Sequence, residues 1–496
     1  MRESGILLPI SSLPSPYGIG CFSKEAYEFV DQLALANQKY WQILPLGPTS
    51  YGDSPYQSFS TYAGNPYFID LNTLIEEGVL TKKECDLADF GSDSRFIDYG
   101  KLYKARYKLL RKAYERSNIS KNPEFQTFQE ENAWWLDDYA LFMAVKGFFQ
   151  DECWDKWPED IKKRYGYALD YYREQLYFEI EFQKYMQFEF SIQWKKLKTY
   201  ANENGIRIIG DIPIYVAYDS ADTWAHPELF QLDEENVPLA VAGCPPDGFA
   251  ADGQLWGNPL YRWDYHRQTG YAWWMQRLSY AFYLYDVVRI DHFRGFDEYF
   301  SIPYGDTTAR NGHWEKGPGI ELFHRMKEVL GERDVIAEDL GYVTDSVRQM
   351  VFESGFPGMK VFEFAFDSRD TGCAGDYLPH NYPVNSVVYT GTHDNATLIG
   401  WYQDIPKEGR EMLRDYIHDY VTSDRSLHWS VICRVMGSPA RICMIPMQDY
   451  LGLDNTCRIN TPSTLGTNWK WRLLDGEFTS DLQNKIKKLV RIYQRN

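Results

Sequence analysis

The chain has no CxxC pair and no close Cys/His grouping: its eight cysteines stand alone at 21, 85, 153, 244, 373, 433, 443 and 457. A structural zinc site or a disulfide framework therefore has no support. No apolar stretch approaches the ~18 residues that cross a bilayer. The opening MRESGILLPISSLP breaks its apolar run at Pro9, too early for a secretory leader. These absences point to a soluble, cytoplasmic protein. Basic clusters are missing too: 52 Lys and Arg stand against 70 Asp and Glu, a net charge of −18 that repels phosphate backbones and acidic lipid surfaces. Nucleic acid and membranes are not expected as partners. The phosphate-cradling GxxxxGK[ST] does not occur, the Gly18-Ile19-Gly20 pair lacks a third glycine because position 23 is Ser, and no G-x-S-x-G elbow appears.

Aromatic residues are abundant, with 38 Tyr, 28 Phe and 16 Trp making 17% of 496 residues. Their flat apolar faces and polar tips suit sugars, and they serve equally well to fill large cores. Eight short apolar runs bounded by Gly, Pro or Asp predict strands at 5–10, 41–46, 206–212, 286–291, 335–338, 359–364, 386–390 and 441–446. Helical patterns such as 23–36, 321–330, 344–354 and 407–421 lie between several of them. This α/β alternation predicts parallel βαβ units, and eight of them fit a closed (β/α)8 TIM barrel; an open doubly wound sheet is the rival. Residues 50–205, mostly helical in pattern, and 213–285, rich in Pro, Gly, Trp and Tyr, are too long for barrel connections. They read as insertions after strands 2 and 3 that roof the site of a single catalytic barrel over 1–496. Residues 447–496 are too few for a sizeable C-terminal β domain.

Polar residues at the predicted strand ends carry the chemistry. Asp211 closes the third strand, Arg289 and Asp291 the fourth and Glu338 the fifth, while His393 and Asp394 follow the seventh. In a barrel these ends converge on one pocket. Arg289 and Asp291 stand two residues apart and so share one side of their strand. The guanidinium favours an ionised Asp291, as a nucleophile requires. Glu338 follows Val335, Ile336 and Ala337, an apolar setting that favours the protonated form a general acid needs. Two carboxyls biased in opposite directions are the pattern of glycoside bond cleavage, in whose retaining version one carboxylate attacks the anomeric carbon while the other carboxyl protonates the leaving oxygen. Asp394 beside His393 could grip sugar hydroxyls. The same acidic residues and His393 could instead gather a divalent metal, a reading that Arg289 in their midst disfavours.

The segments SSLPSPYGIG (11–20), YGDSPYQSFSTYAGNPYFIDL (51–71), GDIPIYV (210–216), GCPPDGFAADGQLWGNPLYRW (243–263), RIDHFRGF (289–296), AEDLG (337–341), GTHDN (391–395) and RINTPSTLGTNWKWR (458–472) closely resemble the amylomaltases, the 4-α-glucanotransferases of glycoside hydrolase family 77. The resemblance runs over nearly the whole chain, with departures at Cys21 and within 463–467. It implies a retaining barrel enzyme of the α-amylase superfamily that cuts an α-1,4-glucan and passes the glucanosyl part to the 4-OH of another sugar. It further implies Asp291 as nucleophile, Glu338 as acid/base and Asp394 as transition-state stabiliser. Arg289, His393 and Asp211 match residues that hold the donor sugar. Tyr56 resembles the aromatic platform beneath it, and Ser54, Gln254, Trp256 and Asn460 resemble further subsite residues. The loop bearing Pro245, Asp247 and Phe249 is similar to a lid over the acceptor site, which would keep water from the glycosyl-enzyme. Tyr51 resembles a residue of an extra glucan groove in some relatives. α-1,4-Glucans are the expected partners, with no cofactor and no metal; oligomeric state stays open. An α-glucan hydrolase and a non-catalytic glycan-binding protein are the alternatives.

Overall fold

Eight of the twelve strands in the computed structural model, which describes residues 2–246, 251–341, 343–366 and 374–496, fall on the eight apolar runs. In chain order the strands are β1 (Glu3–Leu7), β2 (Tyr40–Gln42), β3 (Arg207–Pro213), β4 (Ala240–Cys244), β5 (Gln254–Pro259), β6 (Val287–Asp291), β7 (Glu298–Pro303), β8 (His313–Lys316), β9 (Val335–Ala337), β10 (Gly358–Val361), β11 (Ser386–Tyr389) and β12 (Ile442–Pro446). Strands β1, β2, β3, β6, β9, β10, β11 and β12 pair in that order, all parallel, and β12 returns to β1 to close a (β/α)8 barrel. Both faces of such strands are covered, one by the barrel interior and one by helices, so β11 and β12 are buried throughout. The register sets Asp211 beside Arg289 and Pro213 beside Asp291 across β3 and β6. Gly210 lets β3 pass the Tyr285 ring, where a Cβ would lie 2.0 Å from Cγ.

Between β2 and β3 the chain makes the long helices Tyr99–Ser117, Pro123–Phe148 and Tyr177–Glu203. Pro123–Phe148 and the segment after it bury a second apolar cluster containing Trp135, Trp154, Trp157 and Trp224, whereas Tyr99–Ser117 packs on the main core through Leu102, Leu109 and Leu110. Trp41, Trp154, Trp224, Trp274 and Trp471 are among the largest fully buried side chains, so core filling accounts for much of the aromatic excess. The stretch 213–285 is less loop-like than its composition suggested, because it ends in the helix Ala272–Leu284, which packs on β3 and β6. It also contributes β4 and β5 to an antiparallel sheet of order β5-β4-β7-β8, joined by strands from the connection after β6. That sheet was not evident in the sequence, where its strands are short and glycine interrupts β4 and β5. After β12 come the helices Met447–Leu451 and Ser480–Tyr493, with no further strand among the described residues. Among the described residues no helix is long and apolar enough to cross a membrane.

Candidate active site

Because β3 and β6 run parallel in that register, Arg289 meets a carboxylate on each strand. Its Nη1 donates to both oxygens of Asp211 at 2.8 and 2.7 Å, and its Nη2 lies 2.9 Å from Asp291 Oδ1. Arg289 and Asp211 are almost fully buried, with side chains 3% and 0% exposed, while Asp291 keeps 27%. Buried ions need close partners to offset desolvation. Here one cation answers two anions. A divalent metal would have to stand where the guanidinium already supplies the positive charge, and among the described residues no group of His, Cys, Asp and Glu forms a metal cradle.

Tyr56, on the loop after β2, closes one side of this floor. Its hydroxyl donates to Asp211 Oδ2 at 2.7 Å and lies 2.8 Å from His393 Nε2, and the two rings stack with centroids 5.3 Å apart and planes 13° apart. Since the hydroxyl gives its proton to Asp211, it accepts from His393, which assigns a proton to Nε2. The same nitrogen is 3.4 Å from Asp394 Oδ2, and Asn460 Nδ2 donates to Asp394 Oδ1 at 2.6 Å. Burial works against the Asp394 anion, but His393 and Asn460 overcome it and hold its carboxyl well below the usual range. Asp394 is thus an anion fixed by two donors, with its imidazole partner biased toward the charged form despite burial.

Glu338 stands one residue beyond β9. Its Oε2 accepts the His292 N–H at 2.7 Å and its Oε1 the Leu340 N–H at 2.9 Å, which leaves one lone pair on each oxygen for a proton. Burial, and then the Asp291 charge, push its pKa up to about 8. Asp291 is not held low by Arg289, as the pairing alone implied: burial is the larger effect and raises its pKa to about 6. The order still matters chemically. Asp291 loses its proton first, and the anion so formed keeps Glu338 protonated.

Ser54, Tyr56, Gln254, Trp256, Asp291, Asp394 and Asn460 together line an open cleft of about 660 Å³, with Asp211, Arg289 and His393 buried beneath. Ser54 Oγ accepts the Tyr56 amide at 3.2 Å, and the Trp256 indole donates to Gln254 Oε1 at 3.0 Å. Asp247 and Phe249 lie outside the described residues.

A profile of the family described as 4-alpha-glucanotransferase matches residues 8–477. The chain belongs to glycoside hydrolase family 77, the 4-alpha-glucanotransferases. A 4-alpha-glucanotransferase of Clostridium butyricum is 50% identical over 488 residues, covering 98% of this chain and 99% of its own. One from Thermus thermophilus is 45% identical over 503 residues, covering 100% and 99%. The fold matches an amylomaltase from Streptococcus agalactiae, solved in complex with acarbose, at a TM-score of 0.96 and 41% identity over 100% of both chains. Two further residues at the site, Trp469 lining the cleft and Arg458 bracing two residues that line it, did not stand out in the sequence. Trp469 lies 5.9 Å from Tyr56 and 6.2 Å from His393, ring centre to ring centre. Arg458 donates to the backbone carbonyl of Asp394 and to that of Asn460. Both lie in 458–472, where the Trp469 and Trp471 pair was an available signal for the aromatic residue and none marked Arg458.

Proposed function

We propose that this 4-alpha-glucanotransferase is a retaining enzyme that works through a covalent glycosyl ester on Asp291. An Asp291 oxygen attacks the anomeric carbon of the donor glucan; the C1–O4 bond breaks, and Glu338 gives its proton to the departing oxygen. The 4-OH of an acceptor glucan or glucose then attacks the same carbon. Its proton passes to Glu338, and the Asp291 ester bond breaks. Asp394, an anion with one acceptor oxygen tied to Asn460, tightens its hold on sugar hydroxyls as the ring flattens. Arg289, Asp211 and His393 hold the donor sugar over the Tyr56 ring, and Ser54, Gln254, Trp256 and Asn460 serve flanking subsites. No metal or cofactor takes part.

The observation that carries this reading is the pair of carboxyls with unlike settings, Asp291 against Arg289 and Glu338 against two amides. A pH dependence follows from it. Turnover needs Asp291 without its proton, above about 6, and Glu338 with its proton, below about 8. A plot of kcat/KM against pH is therefore expected to be bell-shaped with limbs near these values; a profile flat across pH 5–9 would overturn the assignment. Incubation with maltotriose tests the activity: a ladder of longer maltooligosaccharides plus glucose, at constant reducing ends, is expected. Rising reducing ends with only shorter products would mean a hydrolase, and no products from any α-glucan would mean a binding protein.

A further inference from the structure

Strand β6 turns out of the barrel at His292, whose backbone is left-handed at φ 53° and ψ 48°. Histidine enters that region more readily than a branched residue does. The turn aims two consecutive amides at one residue: the His292 N–H donates to Glu338 Oε2 at 2.7 Å, and the Phe293 N–H to the Glu338 carbonyl at 3.0 Å. The ring meanwhile stands edge-on to the Trp256 indole of β5, with centroids 4.8 Å apart and planes at 89°, and Tyr215 lies behind it at 6.5 Å. Gly295 makes room for it, since a Cβ there would lie 3.0 Å from His292 Cδ2. Its buried Nε2 has no hydrogen-bond partner among the described residues. Packing, not hydrogen bonding at Nε2, holds that side of the ring. Burial, and then Arg294, push its pKa down to about 3, so the imidazole is neutral during turnover.

We propose that His292 is a positioning residue that couples strand β5 to the acid/base carboxyl, so that a sugar seated on Trp256 and Gln254 adjusts the hydrogen bond from the His292 amide to Glu338. This rests on the reading of Glu338 as acid/base. An N–H bond to a carboxylate favours the anion, so loosening it makes Glu338 hold its proton to higher pH. The charged groups acting on this pair are Asp291 and Arg289 of β6 on Glu338 and Arg294 on the His292 ring, while Asp211, His393 and Asp394 act on Asp291 in turn.

The test uses two variants that cut the contact from opposite sides. His292→Gly keeps the left-handed turn, which glycine adopts freely, and removes the ring; Trp256→Ala removes its partner. With maltotriose, each is expected to lower kcat about 10-fold, the size of effect that a small misplacement of a reacting group produces. Each is also expected to move the alkaline limb of kcat/KM upward by about half a pH unit. The double variant is expected to be no worse than either single one. Three results would overturn the coupling: a lower denaturation midpoint with the limb unmoved, a rise in KM alone for Trp256→Ala, or additive effects in the double variant. His292→Asn, which also accepts the left-handed region, replaces His292→Gly if the latter does not fold. Glu338→Gln separates the two ideas. If its residual activity keeps the alkaline limb, the acid/base reading fails. If Glu338→Gln abolishes the limb and His292→Gly leaves it in place, only the coupling fails.

Discussion

Asp291→Asn is expected to lower turnover of maltotriose by about 10⁴-fold or more, a rise in barrier of roughly 5 kcal/mol. The amide is nearly the same shape as the carboxylate and its oxygen can still accept from Arg289, whose main partner Asp211 is untouched. Circular dichroism and the denaturation midpoint are therefore expected to stay close to those of the parent enzyme. What is lost is the attacking oxygen anion, and no other carboxylate is free to replace it: Asp211 is locked against Arg289, and Asp394 is tied to Asn460 and His393. Near-normal turnover in this variant would remove Asp291 as the nucleophile.

Arg289→Leu has the second large effect, and it acts on stability as well as on chemistry. The substitution leaves Asp211, 1% exposed, with the Tyr56 hydroxyl but without its cation. Removing one partner of a buried ion pair costs about 3–5 kcal/mol, because the remaining charge stays out of water. A fall of that size in unfolding free energy is expected from denaturant titration. A loss under about 1 kcal/mol would mean that Asp211 is relieved by water or by protonation. Arg289 also opposes the burial that raises the Asp291 pKa. Without it, Asp291 holds its proton to higher pH, and the acidic limb of kcat/KM moves toward neutrality. Arg289→Lys keeps the charge but not the fork that spans two carboxylates, so an intermediate loss is expected.

All eight barrel strands were legible because strands covered on both faces must be apolar along their length, and each run was short and closed by Gly, Pro or a polar residue. Arg289 and Asp291 were legible as a pair because a strand has period two. The β5-β4-β7-β8 sheet was not. Its strands join segments from two different barrel connections, and antiparallel pairing between β4 and β7 leaves no mark in either segment alone. Aromatic content pointed two ways, and the packing of Trp41, Trp154, Trp224, Trp274 and Trp471 assigns much of it to the interior.

What the sequence determined by itself was the barrel, the set of polar residues at its strand ends and the family, since each is written in local patterns of residue type and order. What only the tertiary structure decided was how those residues act on one another. Whether Asp291 is held low by Arg289 or pushed up by burial depends on how much water reaches the carboxyl, and that is set by distant segments folding over it. The same holds for the neutral ring of His292 against Trp256, 36 positions earlier in the chain and 4.8 Å away in space. Hydrophobicity and periodicity act between near neighbours in the chain, whereas desolvation and charge coupling are sums over neighbours in space, which exist only once the chain has closed.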